Sequence, residues 1–373
     1  NASLVDHMPE PGGLALFSQS GALGVTVLSS AARRRLGISS FVSAGDRADV
    51  STNDCLQYWE DDPHTAVIGL YLESFGNARK FSRIARRISQ HKPIVAVKSG
   101  MSGYAVPPGH SVRHTRAPRA AMDSLLRQAG VIRVDTIHQL FDVSQLLLHQ
   151  PLPAGPRIGI VSNSHAMAVL VADAAAGGGL DIAAEPIITE PEPHPETFRH
   201  AVTAGFDDAT TDAVVVCYVP PLGVVEESIP RALQQASEAS AKTAVACMLG
   251  FHGVVSSEQG RAFPSYPTPE DAVRALVTVV RYSEYRREPV GRKVNPSGID
   301  RTGARGLVDA SLAADSTTEN LLLNPADASA LLAHYGLVAP SEGRNIEPRP
   351  GVVPRAGYLL NTMEDQLFGP VLS

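Results

Sequence analysis

Short apolar runs alternate with longer amphipathic or Ala-rich segments between Leu14 and Gln150. The apolar runs predict buried strands, and the segments between them predict helices. We expect strands at residues 14–17, 38–42, 67–72 and 94–97, and helices at residues 22–34, 77–90 and 120–128. Strands that alternate with helices in this way indicate right-handed βαβ units and a parallel sheet that is covered on both faces.

The same alternation resumes after a spacer rich in proline and glycine at residues 151–156. We expect further strands at residues 158–161, 213–218 and 244–248, and helices near residues 166–176, 195–204 and 269–283. The last helix has Thr268 as its expected N-cap and Pro269 in its first turn. The sequence therefore predicts an α/β fold with two doubly wound, flavodoxin-like domains with parallel sheets, at residues 1–150 and 156–287. Ligands of such sheets bind beyond the carboxyl ends of the strands.

The pattern is weaker in residues 288–373, which we assign to a linker and a truncated third segment. Residues 288–313 predict one short helix, and residues 324–335 predict another with Asn324 as N-cap and Gly336 as C-cap. Residues 340–357 are rich in Pro, Gly and Arg, and residues 367–373 resume a strand-like pattern. Because the chain begins without Met, we expect it to be a piece of a longer protein or a sequence from which segments are missing.

Composition and charge narrow the classes of function. The hydrophobic content of 44% is sufficient for sizeable cores. The net charge of −6, with both signs mixed along the chain, argues against a nucleic-acid or membrane-surface protein. The three cysteines, Cys55, Cys217 and Cys247, are far apart and predict reduced thiols rather than a disulfide framework or a metal site. Without a membrane-spanning run or a signal peptide, we expect a cytoplasmic protein.

One polar turn follows the first expected strand of each domain, and together the two turns predict a pair of phosphate sites. A turn between a strand and a helix N-terminus offers free backbone N–H groups and the positive end of the helix dipole to an anion. The ordinary alternative is a polar cap that any βα unit requires. The second turn lacks the glycines that let a backbone approach phosphate closely. The turns consist of Ser18, Gln19, Ser20 and Gly21, and of Ser162, Asn163 and Ser164.

A histidine between these turns is a candidate phosphoryl carrier. His114 lies in a stretch rich in Gly and Pro, and Arg113 and Arg116 supply positive charge that can hold a phosphoryl group. The alternative is a solvated basic loop, and His110 is a competing candidate. Glu73 closes an expected strand, where a carboxylate can orient one ring nitrogen of a histidine so that the other acts as nucleophile. A structural ion pair is the commoner role of a single glutamate.

These residues give the chain a resemblance to the NDP-forming acyl-CoA synthetases, relatives of succinyl-CoA synthetase. The resemblance runs from about residue 1 to residue 335. Several segments carry it: the first phosphate-binding turn at residues 17–24, a Gly-Asn-x-Ala-Asp-Val-like segment at 42–51, a Tyr-Leu-Glu strand end at 71–73, a Lys-Ser-Gly turn at 98–100, a phosphohistidine-like His-Thr at 114–115 and a strand entry at 127–134.

The resemblance implies an acid–thiol ligase that converts an acid, CoA and ATP into acyl-CoA, ADP and phosphate. It implies that His114 carries the phosphoryl group, that Glu73 orients His114, and that the two turns stabilise the phosphohistidine. The implied cofactors are CoA and ATP/ADP with Mg²⁺, with the nucleotide site largely outside this chain. The implied partners are a small carboxylic acid and the CoA-binding and ATP-grasp domains of the same parent protein or of a partner subunit. We also expect an oligomer.

Departures from the family pattern keep other hypotheses open. The histidine loop reads Val-Arg-His-Thr-Arg rather than Ser-His-Thr-Gly, and the second turn lacks an Asn-Ala-Gly-Gly pattern. Residues 331–336 and 368–371 resemble parts of an ATP-grasp domain, which predicts a C-terminal remnant of that domain. One alternative is a catalytically degenerate regulatory or scaffold region of a protein lysine acetyltransferase, with the GNAT-type domain outside this chain. Another is a flavodoxin-like assembly module with no ligand.

Overall fold

The computed structural model consists of two compact units, residues 1–288 with 360–373 and residues 289–359. It describes residues 8–45, 49–99, 119–221, 227–238, 240–251, 253–255, 262–289, 291, 294, 296–314, 323–337, 362–365 and 369–372.

The first sheet has five parallel strands in the order β2-β1-β3-β4-β5. This order confirms the doubly wound arrangement and places the topological switch point between β1 and β3. The strands are β1 Pro11–Ser18, β2 Ile38–Ser43, β3 Val67–Leu72, β4 Ile94–Lys98 and β5 Val131–Val134. The helices are α1 Gly21–Arg33, α2 Thr52–Asp61, α3 Ala78–Ile88, α4 Arg119–Gln128 and α5 Ile137–His149.

The second sheet repeats this plan and adds an antiparallel edge that the sequence did not predict. Its order is β11-β12-β10-β9-β6-β7, with β8 also paired to β6, and the switch point lies between β6 and β9. β11 runs antiparallel to β12, and the other pairs are parallel. The strands are β6 Arg157–Ser162, β7 Asp181–Ile182, β8 Ile187–Ile188, β9 Ala213–Tyr218, β10 Thr243–Met248, β11 Gly253–Val255 and β12 Phe263–Ser265. The helices are α6 His165–Gly178, α7 Pro195–Asp207, α8 Ser228–Glu238 and α9 Pro269–Arg287.

The helix α5 joins the two sheets, and the sequence analysis did not identify it. Seven consecutive residues, from Leu140 to Leu146, are buried, so the helix lacks the polar stripe by which a surface helix is recognised. α5 packs against the first sheet on one side and against α9 and β12 on the other. One continuous hydrophobic core therefore runs from Leu14 in β1 to Ile160 in β6. The boundary expected near residues 151–156 separates two sheets that share this core.

Polar contacts align the two sheets across this shared core. The Tyr266 hydroxyl donates a hydrogen bond to the main-chain carbonyl of Asp142 over 2.9 Å. The Asp142 carboxylate pairs with Arg34 over 2.5 Å, and both side chains are largely buried. The amide of Val254 donates to the carbonyl of Arg34, at the C-terminal end of α1, over 3.1 Å. Because buried polar groups are costly without partners, these contacts favour one relative placement of the sheets.

The C-terminal segments contain two helices and a hairpin. In the unit of residues 289–359, α10 Arg301–Ala314 packs with α11 Pro325–His334, and Asn324 caps α11 as the sequence predicted. β13 Thr362–Asp365 pairs with β14 Gly369–Leu372 in an antiparallel hairpin. The proposed ATP-grasp remnant stays a prediction, and residues 340–357 lie outside the described part. None of the described helices is long and apolar enough to cross a bilayer.

Gly130 offers a test of the packing between the sheets. Its backbone has φ +68°, and an added Cβ would lie 2.3 Å from the Tyr285 ring and 2.4 Å from the Ser89 hydroxyl. We expect Gly130→Ala to lower the free energy of unfolding by about 2 kcal/mol or more, as measured by chemical denaturation. The control is Gly177→Ala in α6, where nothing lies within 4 Å of the added Cβ. It should be neutral or stabilising by up to about 1 kcal/mol. Equal effects of the two changes would contradict this packing.

Candidate functional site

The carboxyl edge of the first sheet brings together the ends of three neighbouring strands. β1 ends at Ser18, which lies opposite Tyr71 of β3, and Leu72 of β3 lies opposite Lys98 of β4. Glu73 follows directly after β3. The register therefore places the first polar turn, Glu73 and Lys98 at one edge, where parallel α/β sheets bind ligands.

The first polar turn leads into α1 with its polar groups oriented by internal hydrogen bonds. The hydroxyl of Ser18 donates to the carbonyl of Ser20 over 2.8 Å and accepts from the Ser20 amide over 3.2 Å. The hydroxyl of Ser20 accepts from the amide of Leu23 over 3.4 Å. Gly21 is exposed, and open space surrounds the position of a Cβ there. The first turn of α1 thus faces solvent, with the positive end of the helix dipole available to an anion.

The side chain of Gln19 is a brace across the switch point. Its Oε1 accepts hydrogen bonds from the amides of Glu73 and Ser74, the latter over 2.8 Å. Its Nε2 donates to the carbonyl of Ser74 over 2.8 Å, and the residue is 6% exposed. From its place in the first polar turn, Gln19 is predicted to be a phosphate-binding residue. The structure commits its side chain to the neighbouring strand end, so a phosphate would meet the main chain of the turn.

The second polar turn reproduces this arrangement. The hydroxyl of Ser162 donates to the carbonyl of Ser164 and accepts from the Ser164 amide, each over 3.0 Å. The Oδ1 of Asn163 accepts from the amide of Val219, which follows β9, over 2.8 Å. Its Nδ2 donates to the carbonyls of Val219 and Pro191, each over 2.8 Å. Asn163 therefore braces the switch point of the second sheet as Gln19 braces that of the first.

Neither turn depends on a left-handed backbone. The N-cap residues Ser20 and Ser164 have φ values of −110° and −144°, which residues other than glycine adopt readily. The Ser164 side chain makes no cap hydrogen bond, and His165 and Ala166 in the first turn of α6 are exposed. The absence of glycine from the second turn therefore leaves its geometry intact.

Two side chains hold the main chain of Glu73 from opposite sides. Gln19 accepts from its amide, and the ammonium of Lys98 donates to its carbonyl over 2.9 Å. Lys98 also donates to the carbonyl of Ser99. Among the described residues, no hydrogen bond or ion pair engages the partly buried carboxylate of Glu73. Its backbone is thus fixed while its carboxylate stays available, as a group that orients another side chain requires.

Burial lowers the pKa of Lys98 to about 8, and the negative charge of Glu73 opposes this shift. From the sequence, Lys98 belongs to a Lys-Ser-Gly turn and has no predicted role. The sequence signal for such a role is a lysine at the end of a buried strand. At that position the ammonium group must either find hydrogen-bond acceptors or lose its proton.

The proposed phosphoryl carrier lies outside the described residues. This applies to His114, to its competitor His110 and to the flanking Arg113 and Arg116. The structure therefore defines the positions of Glu73 and of both turns. The pairing of Glu73 with His114 stays a prediction. Within the described ranges, no cluster of three or more His, Cys, Asp or Glu side chains has the geometry to hold a metal ion.

Fold and site together define a tandem flavodoxin-like α/β protein with a polar, anion-compatible turn at the switch point of each sheet. Residues 11–147 match the family described as succinyl-CoA ligase like flavodoxin domain. This match supports the resemblance to the NDP-forming acyl-CoA synthetase superfamily that the motifs predicted.

Similar proteins extend this relationship beyond the matched domain. The acetate–CoA ligase (ADP-forming) I subunit alpha of Pyrococcus furiosus is 28% identical over 74% of this chain and 65% of its own length. The 4-hydroxybutyrate–CoA ligase (ADP-forming) of Nitrosopumilus maritimus is 26% identical over 83% of this chain and 48% of its own length. The acetate–CoA ligase (ADP-forming) I of Archaeoglobus fulgidus is 28% identical over 96% of this chain. The chain spans 54% of that relative.

A solved structure supports the fold over the same region. It is the Ca. Korarchaeum cryptofilum dinucleotide forming acetyl-coenzyme A synthetase 1 in complex with phosphate and ADP, with a TM-score of 0.65 and 25% identity. The match covers 74% of this chain and 66% of that protein. The predicted flavodoxin-like fold class is therefore confirmed.

The brace at Gln19 predicts a loss of stability when its amide is removed. Gln19→Leu removes the buried side-chain oxygen that accepts from the partly buried amides of Glu73 and Ser74. We expect the free energy of unfolding to fall by about 2–4 kcal/mol, as measured by urea denaturation. Gln57→Leu, at an exposed position of α2, is the control and should change it by no more than about 0.5 kcal/mol. A Gln19→Leu protein as stable as the control would show that the brace contributes nothing.

The lowered pKa of Lys98 predicts a pH dependence of stability. Between about pH 8 and its ordinary value of 10.5, the unfolded chain holds a proton on this group that the folded chain has lost. The contribution of Lys98 to the free energy of unfolding therefore rises with pH across that window and is lowest below it. We expect Lys98→Met to remove this rise, as measured by denaturation in a series of buffers. Lys80→Met, at a half-exposed side chain that pairs with Asp54, is the control, and identical pH profiles of the two variants would contradict the shift.

Proposed function

We propose that this chain forms the phosphoryl- and acyl-transfer part of an ADP-forming acid–CoA ligase. The observation that carries the proposal is the repeated turn, Ser-Gln-Ser in one sheet and Ser-Asn-Ser in the other, each braced to the strand across its switch point. Two exposed helix N-termini in one compact unit are suited to hold a transferable phosphoryl group. The ADP-forming CoA ligases among the relatives support the same chemistry.

In the proposed reaction, a ring nitrogen of His114 attacks the terminal phosphorus of ATP and releases ADP. A carboxylate oxygen of the acid then attacks the phosphorus, which frees His114 and gives an acyl phosphate. The CoA sulfur attacks the acyl carbon, forming the thioester and releasing phosphate. Mg²⁺ would neutralise charge on the ATP phosphates. Each step transfers one group with balanced charge and needs no oxidant or reductant.

The residues of this chain take distinct roles in the proposal. The amides at the start of α1 and α6 stabilise the phosphoryl group, and the hydrogen bonds of the Ser18 and Ser162 hydroxyls within each turn set their orientation. Glu73 accepts a hydrogen bond from one ring nitrogen of His114, so that the other is the nucleophile. Gln19 and Lys98 are positioning residues that hold the Glu73 main chain. Arg113 and Arg116 would balance the charge of the carried phosphoryl group.

The proposal requires partners beyond the described chain. A CoA-binding domain and an ATP-grasp domain, in the same parent protein or in a partner subunit, would supply the thiol and the nucleotide. Two relatives that are named as alpha subunits support a divided arrangement. We further propose a cytoplasmic oligomer whose substrate is a small carboxylic acid. The acetyltransferase-linked alternative has no comparable support, because the relatives reported above are ligases.

Replacement of His114 tests the proposal directly. We expect the parent protein, incubated with γ-labelled ATP, to acquire label that is stable to alkali and lost in acid. His114→Asn should abolish both the label and thioester formation while the melting temperature is unchanged. Glu73→Gln should slow labelling about a hundredfold or more, because the ring is no longer oriented by a charged acceptor.

His110→Asn, a change at the competing histidine, is the matched control and should retain the label. Thioester formation by the His114→Asn protein would overturn the assignment. Absence of label from folded parent protein, both with ATP and with acyl-CoA plus labelled phosphate, would instead favour the catalytically degenerate alternative.

A further inference from the structure

A groove separate from the carboxyl-edge turns lies between the two sheets. It is bordered by α4 and the edge strand β5 on one side and by α9 on the other, and its cavity has a volume of about 350 Å³. β5 is separated from β1 by β3 and β4, so the groove does not include the first polar turn. Its volume is within the range of small-molecule sites.

The side chains of the groove come from regular helical positions. Thr278, Arg281, Tyr282 and Tyr285 of α9 line it at the spacing of one helix face. From α4, Arg127 lines it on the opposite side.

The side chains that line the groove have a net positive charge once their ion pairs are taken into account. Asp123 pairs with Arg133 over 3.2 Å, and Asp135 pairs with the same guanidinium group over 2.7 Å. The guanidinium group of Arg281 donates a hydrogen bond to the neutral carbonyl of Gly178 over 3.2 Å. That contact does not neutralise the charge of Arg281. Arg127 is exposed, and no carboxylate among the described residues forms an ion pair with it. Two cations therefore face one cavity in a chain whose net charge is −6.

The carboxylates next to this cavity are engaged elsewhere. A smaller cavity of about 190 Å³ shares Arg133 and Arg281 with the groove and is lined by Asp271 and Asp142 as well. Asp271 pairs with Arg274, and Asp142 pairs with Arg34. These acidic groups therefore do not neutralise Arg127 and Arg281.

Two tyrosines of α9 contribute to the wall of the groove. The hydroxyl of Tyr282 donates to the carbonyl of Ser89 over 2.7 Å, and the hydroxyl of Tyr285 lies 3.3 Å from the Ser89 hydroxyl. Tyr282 is only 3% exposed and belongs to the core, whereas Tyr285 is half-buried. The partly exposed ring of Tyr285 offers an apolar surface that a planar group can contact.

We propose that the groove binds a small molecule in which a phosphate monoester is attached to a planar ring. Arg127 and Arg281 bind the phosphate dianion, and the ring of Tyr285 contacts the planar group. The site is independent of the proposed ligase chemistry, since none of these residues has a part in the transfer of the phosphoryl or acyl group.

Phenyl phosphate is the minimal probe, and its affinity for the full chain can be measured by isothermal titration calorimetry. Phenol and inorganic phosphate supply the ring and the anion separately, and we expect each to bind at least about tenfold more weakly. Arg127→Gln and Arg281→Gln should each weaken phenyl phosphate binding about tenfold or more, because each removes a charge-assisted hydrogen bond. Arg83→Gln, at an exposed position of α3, is the matched control and should leave the affinity unchanged.

Unchanged affinity in the Arg127→Gln/Arg281→Gln double variant would place the probe elsewhere and overturn the proposal. Equal binding of phenol and phenyl phosphate would also overturn it, because the anion would then make no contribution. Absence of phenyl phosphate binding to the folded wild-type chain would have the same meaning. None of these results bears on labelling of His114, so the two proposals fail separately.

Discussion

The candidate site depends on the side-chain hydrogen bonds at the switch points of the two sheets. In each sheet, one amide side chain, Gln19 or Asn163, satisfies main-chain groups of the strand across the switch point. The attraction between a helix N-terminus and an anion is confined to the first turn of the helix. It therefore depends on where that turn points. By fixing the turn to the neighbouring strand, the braces give α1 and α6 defined directions. They also place Glu73 beside the first turn.

The shared core extends this constraint to the relation between the sheets. α5 is buried between the first sheet and α9, so neither sheet has a complete core alone. The buried pair of Arg34 and Asp142, together with the bond from Tyr266, adds directional contacts to the apolar ones. Apolar burial supplies most of the stability of such an interface, while buried polar pairs favour one alignment. The two turns are therefore parts of one compact body.

The elements that the sequence predicted well are those with a simple periodicity. Apolar runs such as β9 gave their strands within a residue, and Thr268 and Asn324 marked helix starts as caps. α5 escaped prediction because burial on all sides removes the polar stripe. The antiparallel β11 escaped because three residues carry too little pattern to distinguish a strand from a loop.

The sequence by itself determined the α/β class, the resemblance to the family and the chemical types at the two turns, because these follow from local periodicity and from short motifs. Only the tertiary structure decided that the side chains of Gln19 and Asn163 serve as braces, and that Lys98 holds the main chain of Glu73. The physical reason is that a polar side chain binds whichever donor or acceptor the packed strands bring within about 3 Å. That partner follows a strand distant in sequence. Spacing along the chain does not specify it.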